Sequence, residues 1–250
     1  MLESSAHQGM NLHINAQSRQ LRVLGVMPGG DPYGVESLWA AFAQLQHLGY
    51  PVVVLNAFEQ ETPSAPGLQD LMQPQSGVNY VALPVGNEGP HSVATLPAAR
   101  GLLQALHRAK QQGCRPIDLL HRYLRNHALV VIVAPEQLLS PVMKGATQAP
   151  LLLVPEHGRS LLRSYRALKH MLMHGGHTAK LVTMTSASGF TKNLQSVVQC
   201  AMHHLHVEPL VMQFNPDNPR QLQRWSLQCL EQAEPVGVPQ AAVQPTEWSH

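Results

Sequence analysis

The chain has 250 residues, of which 44% are hydrophobic and only 13% are charged. This length and apolar content are enough to bury one good-sized core, and we expect a single α/β domain. Its 17 basic residues nearly balance 15 acidic ones, which excludes the strongly basic surface of a typical nucleic-acid-binding protein. No apolar run reaches the roughly 18 residues of a membrane span and the N-terminus lacks the order of a signal peptide, so we expect a cytoplasmic protein without stable membrane insertion.

Short β-branched runs alternate with helical patterns along the chain. The runs cover residues 22–27, 51–56, 78–83, 128–133, 150–154, 179–184 and 208–213. Most of them lack the period-two alternation of a strand with one exposed face, so we predict strands that are buried on both faces. Between them, residues 35–45 and 194–205 carry apolar side chains at helical spacing. This order predicts an α/β fold with a doubly wound, mostly parallel sheet of about seven strands and helices on both faces.

The ends of the chain do not follow this alternating pattern. We predict a flexible N-terminal segment at residues 1–20, an α/β domain at 21–232 and a disordered C-terminal tail at 233–250, which is rich in proline. Residues 58–77 are predicted to form a long loop with one helical turn.

The first strand, turn and helix, "RVLGVMPGGDPYGVESLWAAF", have the layout of a phosphate-binding unit. In a P-loop, backbone N–H groups of a glycine-rich turn surround the phosphates, a lysine neutralises their charge, and Ser or Thr holds magnesium. Gly29, Gly30 and Gly34 supply the glycines, but the first lysine of the whole chain is Lys110. Asp31 would place a negative charge beside a triphosphate, which predicts repulsion.

Nucleotide hydrolysis also needs carboxylates at strand ends to hold magnesium and orient water. The second predicted strand ends in Asn56, and the fourth ends in Val133, so neither ends in a carboxylate. We therefore predict a chain without ATPase activity or cofactor. Its vestigial phosphate loop comprises Gly29, Gly30, Asp31, Gly34 and Asn56. An ordinary strand-to-helix turn is the alternative interpretation of the glycine pattern alone.

The order of these elements resembles the MinD/ParA family of deviant P-loop ATPases, and within it the flagellar-number regulators FlhG and FleN. That family has a strand, "GKGGVGKT", a helix, "LG" and then "VLLLDAD". The stretch "GVMPGGDPYGVESLWAAFAQLQHLGYPVVVLNAF" follows the same order, with Asn56 at the first Asp of "DAD". The resemblance covers roughly residues 7–232 and implies a P-loop NTPase-like fold.

The second half of the chain continues the resemblance. Pro155-Glu156 matches a strand that runs into "TPE" in the family, and Tyr165 and Lys169 match its next helix. Thr183 stands where the family has an Asn that reads adenine. Because the Lys, both strand-end Asp and this Asn are lost, the resemblance does not extend to ATP binding, hydrolysis or ATP-dependent dimerisation.

An N-terminal segment gives the most specific indication of a binding partner. FlhG-type proteins have "DQAxxLR" before the P-loop, an activator of the partner GTPase FlhF, and "HQGMNLH" here retains Gln8 and Leu12. The resemblance thus implies contact with an FlhF-like GTPase or another flagellar assembly component, and a possible homodimer. It suggests a catalytically inactive MinD/FlhG-like pseudo-ATPase that acts through protein contacts in flagellar assembly or placement. The alternative for the segment is an unstructured leader.

Two other functions remain open. One is an active ATPase whose phosphate-binding cation comes from Arg22, Arg100 or a partner chain. The other is a MinD-like scaffold in a different envelope process, such as cellulose secretion.

Two further patterns are candidates for binding. His170 and His174 have the i, i+4 spacing of two metal ligands on one helix face, although solvated histidines near a helix end show the same spacing. A basic stripe suits an acidic partner or nucleic acid, and equally the solvated face of a helix. The stripe comprises Arg159, Arg163, Arg166 and His170, and the predicted core face comprises Leu161, Leu162, Tyr165 and Leu168.

Overall fold

The fold was analysed in a computed structural model. It describes residues 20–30, 32–73, 93–155, 161–184 and 192–237, with only the backbone at positions 32 and 33. The strand predicted at 78–83 and the segments 1–19 and 238–250 lie outside the described residues, so the predicted flexible N-terminal segment and the disorder of residues 238–250 remain predictions.

The described residues contain eight strands, eight α-helices and one π-helical turn. The strands are β1 (Arg22–Met27), β2 (Val52–Asn56), β3 (Ala94–Pro97), β4 (Leu129–Val133), β5 (Leu151–Leu153), β6 (Lys180–Met184), β7 (Val211–Phe214) and β8 (Glu234–Pro235). The helices are α1 (Pro32–His47), α2 (Leu68–Met72), α3 (Ala99–Gln112), α4 (Pro116–Leu124), α5 (Glu136–Val142), α6 (Leu161–His170), α7 (Lys192–Leu205) and α8 (Pro219–Glu231). The π-helical turn, Met171–Gly175, follows α6 directly.

The strands form one sheet in the order β3-β2-β4-β1-β5-β6-β7. All neighbours along this path are parallel, and β8 adds an antiparallel pairing with the start of β1. This confirms the predicted doubly wound, mostly parallel sheet. β1 lies at its centre between β4 and β5, so the turn that follows β1 lies at the middle of the carboxyl edge.

Helices cover both faces of the sheet and divide the core into two layers. On one face, α1 and α8 pack on the sheet through buried side chains such as Phe42 and Trp225, and the Trp225 ring stacks on Phe214 at 4.2 Å. On the other face, α2 to α7 contribute buried residues such as Leu102, Leu139 and Leu168. The central strands are buried on both sides, as their continuous apolar runs predict.

Three details of the sequence prediction were wrong. β3 lies at Ala94–Pro97, where no strand was predicted, because this edge strand is short and only one of its residues is buried. Residues 233–237 belong to the fold rather than to a tail, since Ala233 and Val236 are buried. Leu162 is 55% exposed rather than part of the core. It precedes the buried Ser164 by about half a helical turn and therefore points away from the core.

A buried carboxylate joins β8 to the rest of the amino edge of the sheet. Glu234 is 1% exposed. It accepts hydrogen bonds from the backbone N–H groups of Thr147 and Gln148, from the Thr147 hydroxyl and from the Arg115 guanidinium. Burial alone would raise the pKa of Glu234, but these hydrogen bonds outweigh burial and lower its pKa.

This lowered pKa predicts a pH-dependent contribution to stability. The folded-state pKa of Glu234 lies below the ordinary value of 4.5, so its stabilisation is present above that pH and is lost as pH falls through the folded-state pKa. We expect Glu234→Gln to lower the free energy of unfolding by about 2 kcal/mol at neutral pH, and by less as the pH falls below 4.5 through the folded-state pKa of Glu234. Urea unfolding of both proteins across this range measures the difference. Glu231→Gln, at the exposed end of α8, is the control. A deficit that does not change with pH would contradict the prediction.

Candidate functional site

The candidate site is the turn that follows the central strand β1, of which residues 28–30 are described. Gly29 and Gly30 have φ angles of +61° and +87°, in the left-handed region that favours glycine. Asp31 lies outside the described residues. The turn therefore has the glycine-dependent backbone that the sequence predicts, and its geometry can be compared with the needs of a phosphate.

Gly29 is packed directly on the end of β5. A Cβ atom added to Gly29 would lie 2.0 Å from the backbone oxygen of Leu153. Real Cβ atoms do not approach a backbone oxygen so closely, so the turn and the end of β5 fit together only because residue 29 has no side chain. At Gly29, the turn is therefore in direct contact with the end of β5.

The positions where a catalytic lysine is expected all fall within α1. They are residues 33, 34 and 36, and none of them is a lysine. Gly34 is buried, and Glu36 is exposed on the first part of the helix. The lost cation is therefore not restored by the turn itself or by the helix that follows it.

Asn56, at the end of β2, is occupied by local hydrogen bonds. Its side-chain oxygen Oδ1 accepts the backbone N–H of Phe58 at 3.1 Å, and its backbone oxygen accepts the N–H of Ala98 at 3.0 Å. This Asx-type arrangement closes the turn after the strand. Asn56 thus holds the local chain in place where an Asp would hold magnesium.

The end of β4 has no carboxylate either, but one lies close by in the chain. Val133 is followed by Ala134 and Pro135, and Glu136 is the first residue of α5. Its Oε1 atom accepts a hydrogen bond from Gln137 at 3.0 Å. Glu136 was not predicted as a site residue, although a carboxylate three residues after a buried strand is a signal that the sequence contains.

The guanidinium of Arg163 lies at the turn, although Arg163 was not predicted to belong to this site. A Cβ atom on Gly30 would lie 2.5 Å from Nη1 of Arg163, so the exposed Arg163 side chain of α6 lies across the turn. Arg22 instead donates to backbone oxygens of Glu231 and Ala233 at the amino edge of the sheet. Arg100 lies beyond β3, where its guanidinium donates to Gln60.

Other residues named by the resemblance are placed as follows. Thr183 is fully buried in β6, and its hydroxyl has no hydrogen-bond partner among the described residues. Tyr165 is half-buried on α6, where its ring meets that of His204 edge-on at 6.5 Å. Lys169 is exposed, and Pro155 is buried after β5. Glu156 and Arg159 lie outside the described residues, as do Gln8 and Leu12.

The two candidate metal ligands are neighbours. The rings of His170 and His174 lie 4.4 Å apart, across the junction of α6 and the π-helical turn, and Nδ1 of His170 is buried without a partner among the described residues. His177 lies apart from them, with Nε2 at 3.1 Å from the backbone oxygen of Met143. Within the described part of the chain, no group of three or more potential ligands forms a metal site.

Comparisons with known proteins concern the fold. No protein-family model matches the chain, and no curated protein matches it. Solved structures similar to it include a ParA family ATPase from Chlorobium tepidum (13% identity, 85% of this chain and 92% of that one, TM-score 0.47). They also include the MinC:MinD cell division complex of Aquifex aeolicus (14% identity, 81% of this chain and 86% of that one, TM-score 0.43). A third is apo McdA of Cyanthece (15% identity, 84% of this chain and 92% of that one, TM-score 0.46). At these identities the likeness concerns the fold alone.

None of the described helices is both long and apolar enough to cross a bilayer.

Proposed function

We propose that this chain is a catalytically inactive relative of the MinD/FlhG-type ATPases that works by protein contact without a nucleotide. The observation that carries this proposal is that neither β2 nor β4 ends in a carboxylate, because magnesium-dependent phosphoryl transfer needs such ligands. The missing lysine and the hydrogen-bonded Asn56 side chain support the same conclusion.

A second function is favoured by one observation, the Arg163 side chain across Gly30. A guanidinium at this position is a candidate for the non-standard phosphate-binding cation of an active ATPase. Against it stands the lack of a carboxylate directly at the ends of β2 and β4, since magnesium-dependent phosphoryl transfer needs such ligands. Measuring ATP binding by the chain and by an Arg163 variant distinguishes the two functions.

The proposed process is flagellar assembly or placement, with an FlhF-like GTPase as the partner. This rests on the retained Gln8 and Leu12 of the N-terminal segment, where an amide would orient the attacking water in the partner's site and a leucine four residues later would lie on the same helix face. A MinD-like scaffold in another envelope process, such as cellulose secretion, is the alternative, and the neighbouring genes would distinguish it. Pairing of two copies, if it occurs, is proposed to be independent of ATP.

The partner proposal predicts a specific effect of Gln8→Ala. We expect the full chain to increase GTP turnover by an FlhF-like GTPase equally with and without ATP, and Gln8→Ala to remove the increase while leaving the thermal midpoint unchanged. Gln17→Ala, in the same segment but outside the retained motif, is the matched control. Equal turnover with the wild type and the Gln8 variant would contradict the proposal.

A further inference from the structure

A second concave site lies away from the turn, on the face of the sheet covered by α2 to α7. It is a cavity of about 610 Å³ between the end of α2, the last part of α3 and α4. Its polar lining comes mainly from Arg108, Gln111 and Gln112 of α3 and from Arg122 and Tyr123 of α4. A volume of this size accommodates a small organic molecule.

The charged groups of this cavity are not balanced. Arg108 is half-buried and its Nη1 atom donates to two neutral acceptors, the backbone oxygen of Met72 at 3.0 Å and the Tyr123 hydroxyl at 3.2 Å. Arg122 is exposed, with its guanidinium carbon 6.0 Å from the centre of the Tyr123 ring. Among the described residues, neither arginine lies within ion-pair distance of a carboxylate.

Asp118 is the one carboxylate among the described lining residues, and it forms an ion pair with Arg115. Asp118 accepts two hydrogen bonds from Arg115, one on each of its oxygens, at 2.9 and 2.8 Å. Among the described residues no ion pair joins Asp118 to Arg108 or Arg122, and Arg115 is shared between Asp118 and Glu234. The cavity therefore keeps two guanidinium groups whose charge is not matched by a protein carboxylate in the described part of the chain.

We infer that this cavity binds a small organic anion that carries a phosphate or carboxylate group. The two guanidinium groups and the side-chain amides of Gln111 and Gln112 would supply its donors, while Leu119 and the Tyr123 ring would contact its body. A half-buried charge without a counter-ion is unfavourable, and an oxyanion between the two arginines removes this cost. The site is separate from the turn of residues 28–31, so it stands or falls independently of the proposed function.

Calorimetric titration of the full chain with two probes, inorganic pyrophosphate and citrate, tests this inference. We expect binding of at least one probe with a dissociation constant at or below about 1 mM at low salt. Pyrophosphate binding alone would identify a phosphate ligand, and citrate binding alone a carboxylate ligand. Absence of binding for both probes up to about 5 mM would overturn the inference.

Substitutions of the two cavity arginines test whether the probes bind in this cavity. Arg122→Gln should weaken it about tenfold, and Arg108→Gln more strongly, whereas Arg108→Lys should retain part of it. Because Arg108 also donates to Met72 and Tyr123, the thermal midpoints of its variants are measured to confirm that they fold. If they do not fold, the variant of the exposed Arg122 decides the test.

Two matched arginines serve as controls. Arg224→Gln and Arg220→Gln, both at exposed positions of α8, should have no effect on probe binding. Loss of binding in either control variant, or unchanged binding in the Arg122 variant, would place the anion elsewhere and overturn the inference.

Discussion

Gly29→Ala is expected to lower the free energy of unfolding by about 4 kcal/mol. Two effects add at this position. The φ of +61° is unfavourable for a residue with a side chain, and the new Cβ would lie 2.0 Å from the Leu153 backbone oxygen. A backbone oxygen cannot rotate away as a side chain does, so the turn or the end of β5 has to move.

Gly113→Ala separates these two effects. Gly113 ends α3 with a φ of +65°, almost the same as Gly29, but nothing lies within 4 Å of its added Cβ. Its substitution should therefore cost only the backbone effect, about 1 kcal/mol. Chemical denaturation of both variants measures the difference. Equal losses would show that contact with β5 adds nothing to the cost of a side chain at position 29.

Glu61→Ala is expected to lower the free energy of unfolding by about 3 kcal/mol. Glu61 is 3% exposed and accepts the backbone N–H groups of Arg100 at 2.8 Å and Gly101 at 2.7 Å, in the first turn of α3. It also accepts the N–H of Gln69 at 3.3 Å, in α2. Removing the carboxylate leaves these donors without their acceptor and removes a negative charge from the N-terminus of α3.

Two variants test the origin of this effect. Glu61→Gln keeps the volume but can accept with only one of its two terminal atoms, so we expect a loss smaller than that of Glu61→Ala and still measurable. Glu59→Ala, two residues earlier and exposed, should change the free energy of unfolding by less than about 0.5 kcal/mol. If Glu61→Ala behaved like Glu59→Ala, the carboxylate would not be the acceptor that joins the two helices.

The central sheet could be predicted closely because its signal is local. β1 matches the predicted run at 22–27, and four of the other predicted runs contain β2, β4, β5 and β6 within them. Continuous β-branched runs bounded by Gly or Pro are typical of strands buried on both faces. β3 was missed because the sequence "ATLP" has no such run, and an edge strand does not require one.

The polar contacts could not be predicted, because their partners are distant in the chain. Glu61 lies in a polar loop, and nothing in its neighbourhood indicates that the first turn of α3 will bury it. Glu234 was placed in a Pro-rich tail, yet Thr147, Gln148 and Arg115 surround its carboxylate. The composition of a segment predicts its average behaviour and does not reveal that one carboxylate in it will accept several buried hydrogen bonds.

The candidate site was predicted in part. The glycines of the turn and the absence of a lysine were visible in the sequence, and the left-handed φ angles of Gly29 and Gly30 agree with the glycine-dependent turn. The helical periodicity predicted that Arg163 lies on a solvated face of α6, and Arg163 is exposed. The periodicity of one helix does not indicate that this face contacts Gly30. The contact between Arg163 and Gly30 therefore became visible only in three dimensions.

A calorimetric titration of the full chain with ATP and magnesium tests the central claim most directly, with Arg163→Gln titrated in parallel. We predict no affinity tighter than about 1 mM for either protein, equivalent to roughly 4 kcal/mol of binding free energy. Micromolar, magnesium-dependent binding by the wild type would contradict a nucleotide-independent function, and its loss in Arg163→Gln would identify that guanidinium as the phosphate-binding cation.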